Sequence, residues 1–305
     1  MSATVLWILA SGTVDQMVPH PFWVRRSAAL LANPVGGVAL VVLFVLFLAM
    51  LAPRAVVPYG SLTIHPADSF LPPSVAHPAG TDALGRDVTS EVVYGARTTL
   101  WVGAAAILVA LTVGASAGLV AGFWGGSAVD ELIMRLVDVV YVFPSIVLAL
   151  TVVAVLGPER IGSVAVALAL GMVPGYARLV RSRVLSIREE EFIAAARGVG
   201  ATTMRILRKH IVPHTVDVLV VRSVAGLSGI ILAEATLSFL GLGVQPPNPS
   251  WGRMLRESFR YLPSAPWLTL MPALAIFLTV FAVGQVGEAI RAGLHPRTAT
   301  KGHQP

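Results

Sequence analysis

The chain has 305 residues, with 22 Lys and Arg against 16 Asp and Glu, seven His, no Cys and a formal net charge of +6. Hydrophobic residues make up 55% and charged residues 12%, against roughly 45–50% and about 25% in soluble domains. With a mean hydropathy of +0.78, this composition excludes a soluble enzyme, a disordered chain and a disulfide scaffold.

Residues 1–34 read as a cytoplasmic segment. Val5–Ala10 is too short to span, and no basic residue precedes it as a signal peptide would require. The apolar run 35–52 is the first expected transmembrane helix, and Pro53 ends it. Residues 53–98 are rich in Pro, Gly, Asp and His and form an extracytoplasmic loop. A membrane-embedded core over 97–290 holds further spans at about 99–123, 132–156, 161–180, 215–243 and 267–290, with a loop at 181–213 and a cytoplasmic tail at 291–305. Six spans put both termini on one side. With the N-terminus inside, thirteen Lys and Arg fall on cytoplasmic segments and seven on outer loops. That is the sense of the positive-inside rule, so the basic balance reads as topology rather than nucleic-acid binding.

Gly114, Gly118, Gly122 and Gly126 recur every fourth residue and predict a helix face that another backbone approaches closely. Packing within the chain is the ordinary use of such a face; a seam between subunits is the alternative. Arg135, Asp138, Arg222 and Glu234 sit in or beside spans as pathway or gating candidates. Charges there are costly and face protein or water. Arg135 and Asp138, three apart, are expected to pair. Glu234 is expected near the outer interface, in a packing or gating role.

Residues 178–212 are long for a connection between spans and carry eight Lys and Arg. They predict two short helices. Glu189, Glu190 and Glu191 open the first, where the helix dipole favours acids. Phe192, Ala195, Ala196 and Val199 form its apolar face, and Gly200 is its expected C′ residue. The second, Thr203–Ile211, places Met204, Leu207 and Ile211 on one side, and Pro213 closes it. A small-residue stripe framed by arginine predicts a docking knob for another protein. A helix-turn-helix or a lipid-facing loop fits less well between two spans. No phosphate-binding G-x-x-x-x-G-K-[ST], H-E-x-x-H or G-x-S-x-G motif occurs. His210 and His214 are four apart but separated by Pro213, and no metal site is expected.

The loop resembles the EAA loop of permease subunits in ATP-binding-cassette importers: Glu-Ala-Ala, three residues, Gly, nine residues, Ile-x-Leu-Pro. Ala194, Ala195 and Ala196 stand at the Glu-Ala-Ala positions, Gly200 at the glycine, and His210 to Pro213 at the end. Ala194 replaces the usual Glu, and His210 the usual Ile. The segments Gly80 to Asp87, Tyr94 to Leu100, Asp130 to Pro144, Glu234 to Pro247, Pro249 to Gly252 and Gly287 to Arg297 are similar to those of the dipeptide, oligopeptide and nickel permease group, in its C-type subunit. Glu288, Ala292 and His295 stand where that group usually has Asp.

The resemblance implies an all-α integral membrane protein with the type I ABC importer permease fold and a cytoplasmic EAA coupling loop. It implies half of a peptide translocation pathway in the bacterial inner membrane. The implied partners are a B-type permease, two ATP-binding subunits or one fused ATPase, and an extracytoplasmic binding protein. No cofactor is expected on this chain; the ATPase partners use ATP and Mg. Implied docking residues for the ATPase are Glu191, Phe192, Ala194, Ala195, Ala196, Gly200, His210 and Pro213. The expected contact with the binding protein is the loop 246–264 with Pro246, Pro247 and Trp251, together with residues 53–98. Nickel or haem cargo is the alternative within the group. The alternative from another class is a stand-alone ion-coupled transporter, which would need no docking knob.

Overall fold

The computed structural model describes residues 34–57, 59–60, 63–157 and 160–294. Readings that fall on residues 1–33 and 295–305, including Arg25, Arg26 and His295, lie outside the described residues.

Helix α1, Pro34–Leu51, coincides with the first expected span, and a separate turn starts at Pro53. Helix α2, Val88–Phe123, has 36 residues and a length of about 54 Å at 1.5 Å per residue. A hydrocarbon core is about 30 Å thick, so α2 extends well beyond it. The helix begins eleven residues before the expected start at 99. Asp87 is the cause: its Oδ2 accepts from Ser90 N and Ser90 Oγ, both at 2.7 Å, and caps the first turn.

The expected single span 132–156 is broken into α3, Ala128–Val142, and α4, Ser145–Leu156, which meet at 93°. Pro144 has no N–H to continue the helical ladder, and Phe143 before it is extended (φ −77°, ψ 133°). Helix α5, Ile161–Arg188, runs eight residues past its expected end. Arg178, Arg181 and Arg188 hold that extension: Arg178 Nη2 meets Asp138 Oδ1 at 2.7 Å, Arg181 forks onto Asp130 at 2.6 and 2.7 Å, and Arg188 donates to Gly122 O at 3.0 Å. The expected Arg135–Asp138 pair is therefore corrected. Asp138 is taken by Arg178, and Arg135 turns to Glu131, one helical turn back.

Short α6, Glu191–Gly198, follows. The chain is then helical without a gap from Thr203 to Phe239. An α-turn leads into a π-helical turn over Leu207–Ile211, a 3-10 turn over Val212–Thr215 and α7, Val216–Phe239. Pro213 does not close this helix, contrary to expectation. The π-turn and 3-10 turn around it absorb the missing N–H and the bulk of the ring. Helices α8, Trp251–Ser258, and α9, Trp267–Leu294, complete the bundle. Among the described residues four helices are long and apolar enough to cross a membrane, and the bent α3–α4 pair is a fifth candidate.

Helices α2 and α5 form the central pair. A Cβ on Gly114 would lie 2.6 Å from Tyr176 Cβ, on Gly118 2.3 Å from Ala177 O, and on Gly122 2.7 Å from Val184 Cβ. Three of the four periodic glycines thus let two backbones meet within the chain. Gly126 does not share that face: it lies past the helix end at φ +83°, with open space around it. One apolar core joins α2, α4, α5 and α7, and a second gathers α1, α2, α7, α8 and α9 around Trp251. A third, small core at the far end of α5 includes Val180, Val184, Ile187 and Ile193.

Candidate functional site

At the far end of α5, Ile193 is fully buried against Val184, Ile187, Ile206 and Ile211 and anchors α6 to its own chain. The sequence reading passed over it, although Ile193, Ile206 and Ile211 are the only β-branched apolar residues between Arg188 and Val212 apart from Val199. Ala196 is partly buried beside it, so it belongs to the inner side of α6 rather than to the exposed face. Phe192, Ala194, Ala195 and Val199 are exposed, as are Glu191 and Gly200. Met204, read on one side of the second helix with Leu207 and Ile211, is 55% exposed, while Ile206 and Ile211 are buried.

Gly200 has φ +77°, the left-handed conformation expected of a C′ residue. Gly200 N donates to Arg197 O and Ala201 N to Ala196 O, each at 3.0 Å, the two hydrogen bonds of a Schellman termination. The termination fixes the angle at which α6 leaves the bundle. The Phe192 ring stacks on His214 at 5.5 Å and lies 6.1 Å from His210. His214 Nδ1 is 2.6 Å from His210 O. Among the described residues no group of three metal-ligating side chains occurs. Arg197, Arg205, Arg208 and Lys209 are exposed around the knob with no carboxylate within 4 Å among the described residues. Arg178, Arg181 and Arg188, counted in the sequence as part of the frame, are instead the ties that hold α5 to α2 and α3.

The opposite end of α2 is built by the segment Gly80 to Asp87. Gly80 and Gly85 both have φ +71°. A Cβ on Gly85 would fall 1.8 Å from His65 O. Thr81 is buried, accepts from Leu71 N at 2.8 Å and donates to Asp68 O. Asp82 Oδ1 accepts from Leu84 N and Arg86 N, both at 2.8 Å, and closes the turn. Arg86 then meets Asp82 at 2.6 Å and Glu91 at 2.9 Å. Burial pulls the Arg86 guanidinium down, but Glu91 and Asp82 hold it above its ordinary value. Asp87 caps α2 and meets His77 Nδ1 at 3.0 Å. The motif is a loop lock.

Trp251, expected at a protein-contact surface, is fully buried. Its Nε1 donates to Val92 O at 2.8 Å, and its ring lies against Gly95 of α2. This corrects the sequence reading: an indole seated on α2 has no face left for a partner. Pro246 and Pro247 are exposed.

The four charged pathway candidates do not converge. Arg135 and Asp138 lie on α3 in the pairs given above. Glu234 is fully buried between α7 and α2, accepting from Ser238 Oγ at 2.7 Å and Thr99 Oγ1 at 3.1 Å. Arg222 is twelve residues earlier on α7, about 18 Å along the axis. It stands over Tyr176 at 5.9 Å and lines a cavity of about 290 Å³ with Ser145, Met172 and Gly226.

The bundle thus combines helices long and apolar enough to cross a membrane with an anchored but exposed short helix at one end and a locked loop cluster at the other. The chain belongs to the family of binding-protein-dependent transport system inner membrane components, whose model matches residues 110–300. It is 38% identical over 283 residues to a dipeptide transport system permease protein of Alkalihalophilus pseudofirmus, covering 93% of this chain and 92% of that one. It is 41% identical over 279 residues to a glutathione transport system permease protein of Escherichia coli, covering 91% and 90%. A similarly named protein of Pectobacterium atrosepticum is 43% identical over 225 residues, 74% of each chain. Among solved structures it is similar to a chain of a methionine ABC transporter in an inward-facing conformation, with a TM-score of 0.54 and 21% identity over 66% of this chain and 95% of that one. The fold is therefore that of an ABC importer permease.

Proposed function

We propose that this chain forms half of the translocation pathway of an ATP-driven importer of short peptides, and that α6 transmits the movement of separate ATPase subunits to it. The observation that carries the reading is the division of α6 into two sides. Ile193 fastens it to the α5 end, while Phe192, Ala195 and Val199 stand exposed. A short helix that is anchored on one side and bare on the other passes rigid-body motion from a docked partner to α5 and α7. The ATPase partners bind ATP and Mg, and ATP closes them by its differential affinity for two states. Glu191, Ala194, Gly200, His210 and Pro213 frame the same docking region. Peptide cargo is supported by the names of the dipeptide and glutathione relatives. The end of the chain with α6 faces the cytoplasm in this reading. A B-type permease completes the pathway, and an extracytoplasmic binding protein docks at the opposite end, on the exposed Pro246–Pro247 loop.

The test is Gly200→Asp in the complete complex reconstituted in vesicles. The variant is expected to insert and to co-purify with the second permease, but peptide uptake per ATP hydrolysed is expected to fall at least tenfold. Uptake at the unmodified level would overturn the coupling role.

A further inference from the structure

We propose that the loop end of the molecule holds a binding pocket for the free carboxylate of a short peptide with an apolar side chain, with Arg253 as its receptor. The proposal rests on the importer reading and adds a ligand site to it. A half-open cavity of about 640 Å³ lies between the Asp82–Glu91 segment and α8, within the range of about 300–1,000 Å³ typical of small-ligand sites.

Six charged side chains line it: Asp82, Arg86, Glu91, Arg253, Glu257 and Arg260. Their hydrogen-bonding capacity is uneven. Arg86 occupies Asp82 and Glu91 at 2.6 and 2.9 Å, and Asp82 also accepts two backbone N–H groups. These contacts take up both Asp82 oxygens and one oxygen of Glu91. Glu257 lies at the rim, 45% exposed, 3.7 Å from Arg86 and 3.5 Å from Arg253. Arg253 is only 7% exposed; its Nε makes no hydrogen bond, and Glu257 Oε1 faces it at 3.5 Å. A carboxylate is the group that fits the planar fork of a guanidinium. Arg260 adds a second cation at the exposed edge. Leu84, Met254, Tyr261 and Leu268 supply an apolar wall for the rest of the ligand. The Arg253 and Arg260 guanidiniums beside an apolar wall suit an anion with an apolar body.

The experiment uses the complete importer complex in nanodiscs, without binding protein and without ATP. Calorimetry measures binding of Ala-Leu as the free acid and as its C-terminal amide. The free acid is expected to saturate one site, and the amide to bind at least tenfold more weakly. Arg253→Gln and Leu84→Trp are each expected to raise the Kd of the free acid at least tenfold. Leu84→Trp fills the mouth from an exposed position, so it tests the site even where Arg253→Gln disturbs α8. An amide that binds as well as the acid overturns the proposal, as does a Leu84→Trp complex that binds like the parent. No binding of either probe, with Leu84→Trp weakening only association of the binding protein, overturns it in favour of a protein-docking surface. ATP hydrolysis by the unmodified complex in response to loaded binding protein is measured in parallel. If that response is intact while the pocket stays empty, the importer reading stands and the pocket inference alone falls.

Discussion

Thr99 on α2 donates its hydroxyl to Glu234 on α7 across 3.1 Å, at a point where neither residue is exposed to solvent. Ser238 donates to the other carboxylate oxygen at 2.7 Å and itself accepts from Val244 N at 3.1 Å. Glu234 therefore fastens α7 to α2 and to the loop beyond α7. This is a packing contact within the chain.

Glu234→Gln keeps an acceptor for one donor and is expected to fold with a small loss of stability. Glu234→Ala leaves Thr99 and Ser238 without an acceptor in a dry site. Each unmatched group costs about 1–3 kcal/mol. Thermal unfolding in detergent should rank parent, Gln and Ala in that order; an Ala variant as stable as the Gln variant would contradict the fastening role.

The α2–α5 seam makes a contrasting pair of glycine predictions. Gly118→Ala places a methyl group 2.3 Å from Ala177 O and forces the backbones apart. Overpacking of this kind costs about 1–3 kcal/mol. Gly284→Ala on α9 meets nothing within 4 Å and should be neutral or stabilising by up to about 1 kcal/mol for the isolated chain. Unfolding temperatures of the two variants settle the comparison.

Ile193 and Phe192 are neighbours with opposite roles. Ile193→Ala opens a void in the small core at the end of α5 and should destabilise it by about 2–5 kcal/mol. Faster proteolysis between 188 and 203 reports that loss. Phe192→Ala and Ala195→Glu touch the bare side and should leave proteolysis unchanged while reducing co-purification of the ATPase subunits. Equal effects of all three on proteolysis would remove the two-sided account of α6.

Asp130 is 4% exposed and receives both arms of the Arg181 fork. Asp130→Ala strands a cation beside α3 and also frees Gly126 N, which Asp130 accepts at 3.0 Å. A double-mutant cycle with Arg181→Met should give a coupling of about 1–3 kcal/mol. A cycle that closes to zero would mean that the pair does not hold α5 to α3.

Several elements were legible in the residues alone. Asp87, Ser127 and Ser250 are helix caps that the sequence reading did not use, and each accepts a hydrogen bond from the backbone N–H three residues on. Gly200 announced the end of α6 by its need for a positive φ. Gly114, Gly118 and Gly122 announced a close approach by their period. The exposed side of α6 was readable except for Ala196. The loop lock was visible only as a string of residues, because its contacts, such as Asp87 with His77 and Thr81 with Asp68 and Leu71, follow from the path of an irregular segment and not from a helical period.

The sequence by itself determined that this is a membrane protein built of helices, with a short exposed helix near residue 195, because composition, helical period and capping are properties of neighbouring residues. Only the tertiary structure decided which charge meets which. Arg135 turns from Asp138 to Glu131, Asp138 goes to Arg178, and Trp251 disappears into α2. It also decided that Pro144 breaks a span while Pro213 does not. The reason is physical: a helix sets distances within a turn, but the partner of a long side chain, and the tolerance of a proline, depend on what another helix brings to the same place.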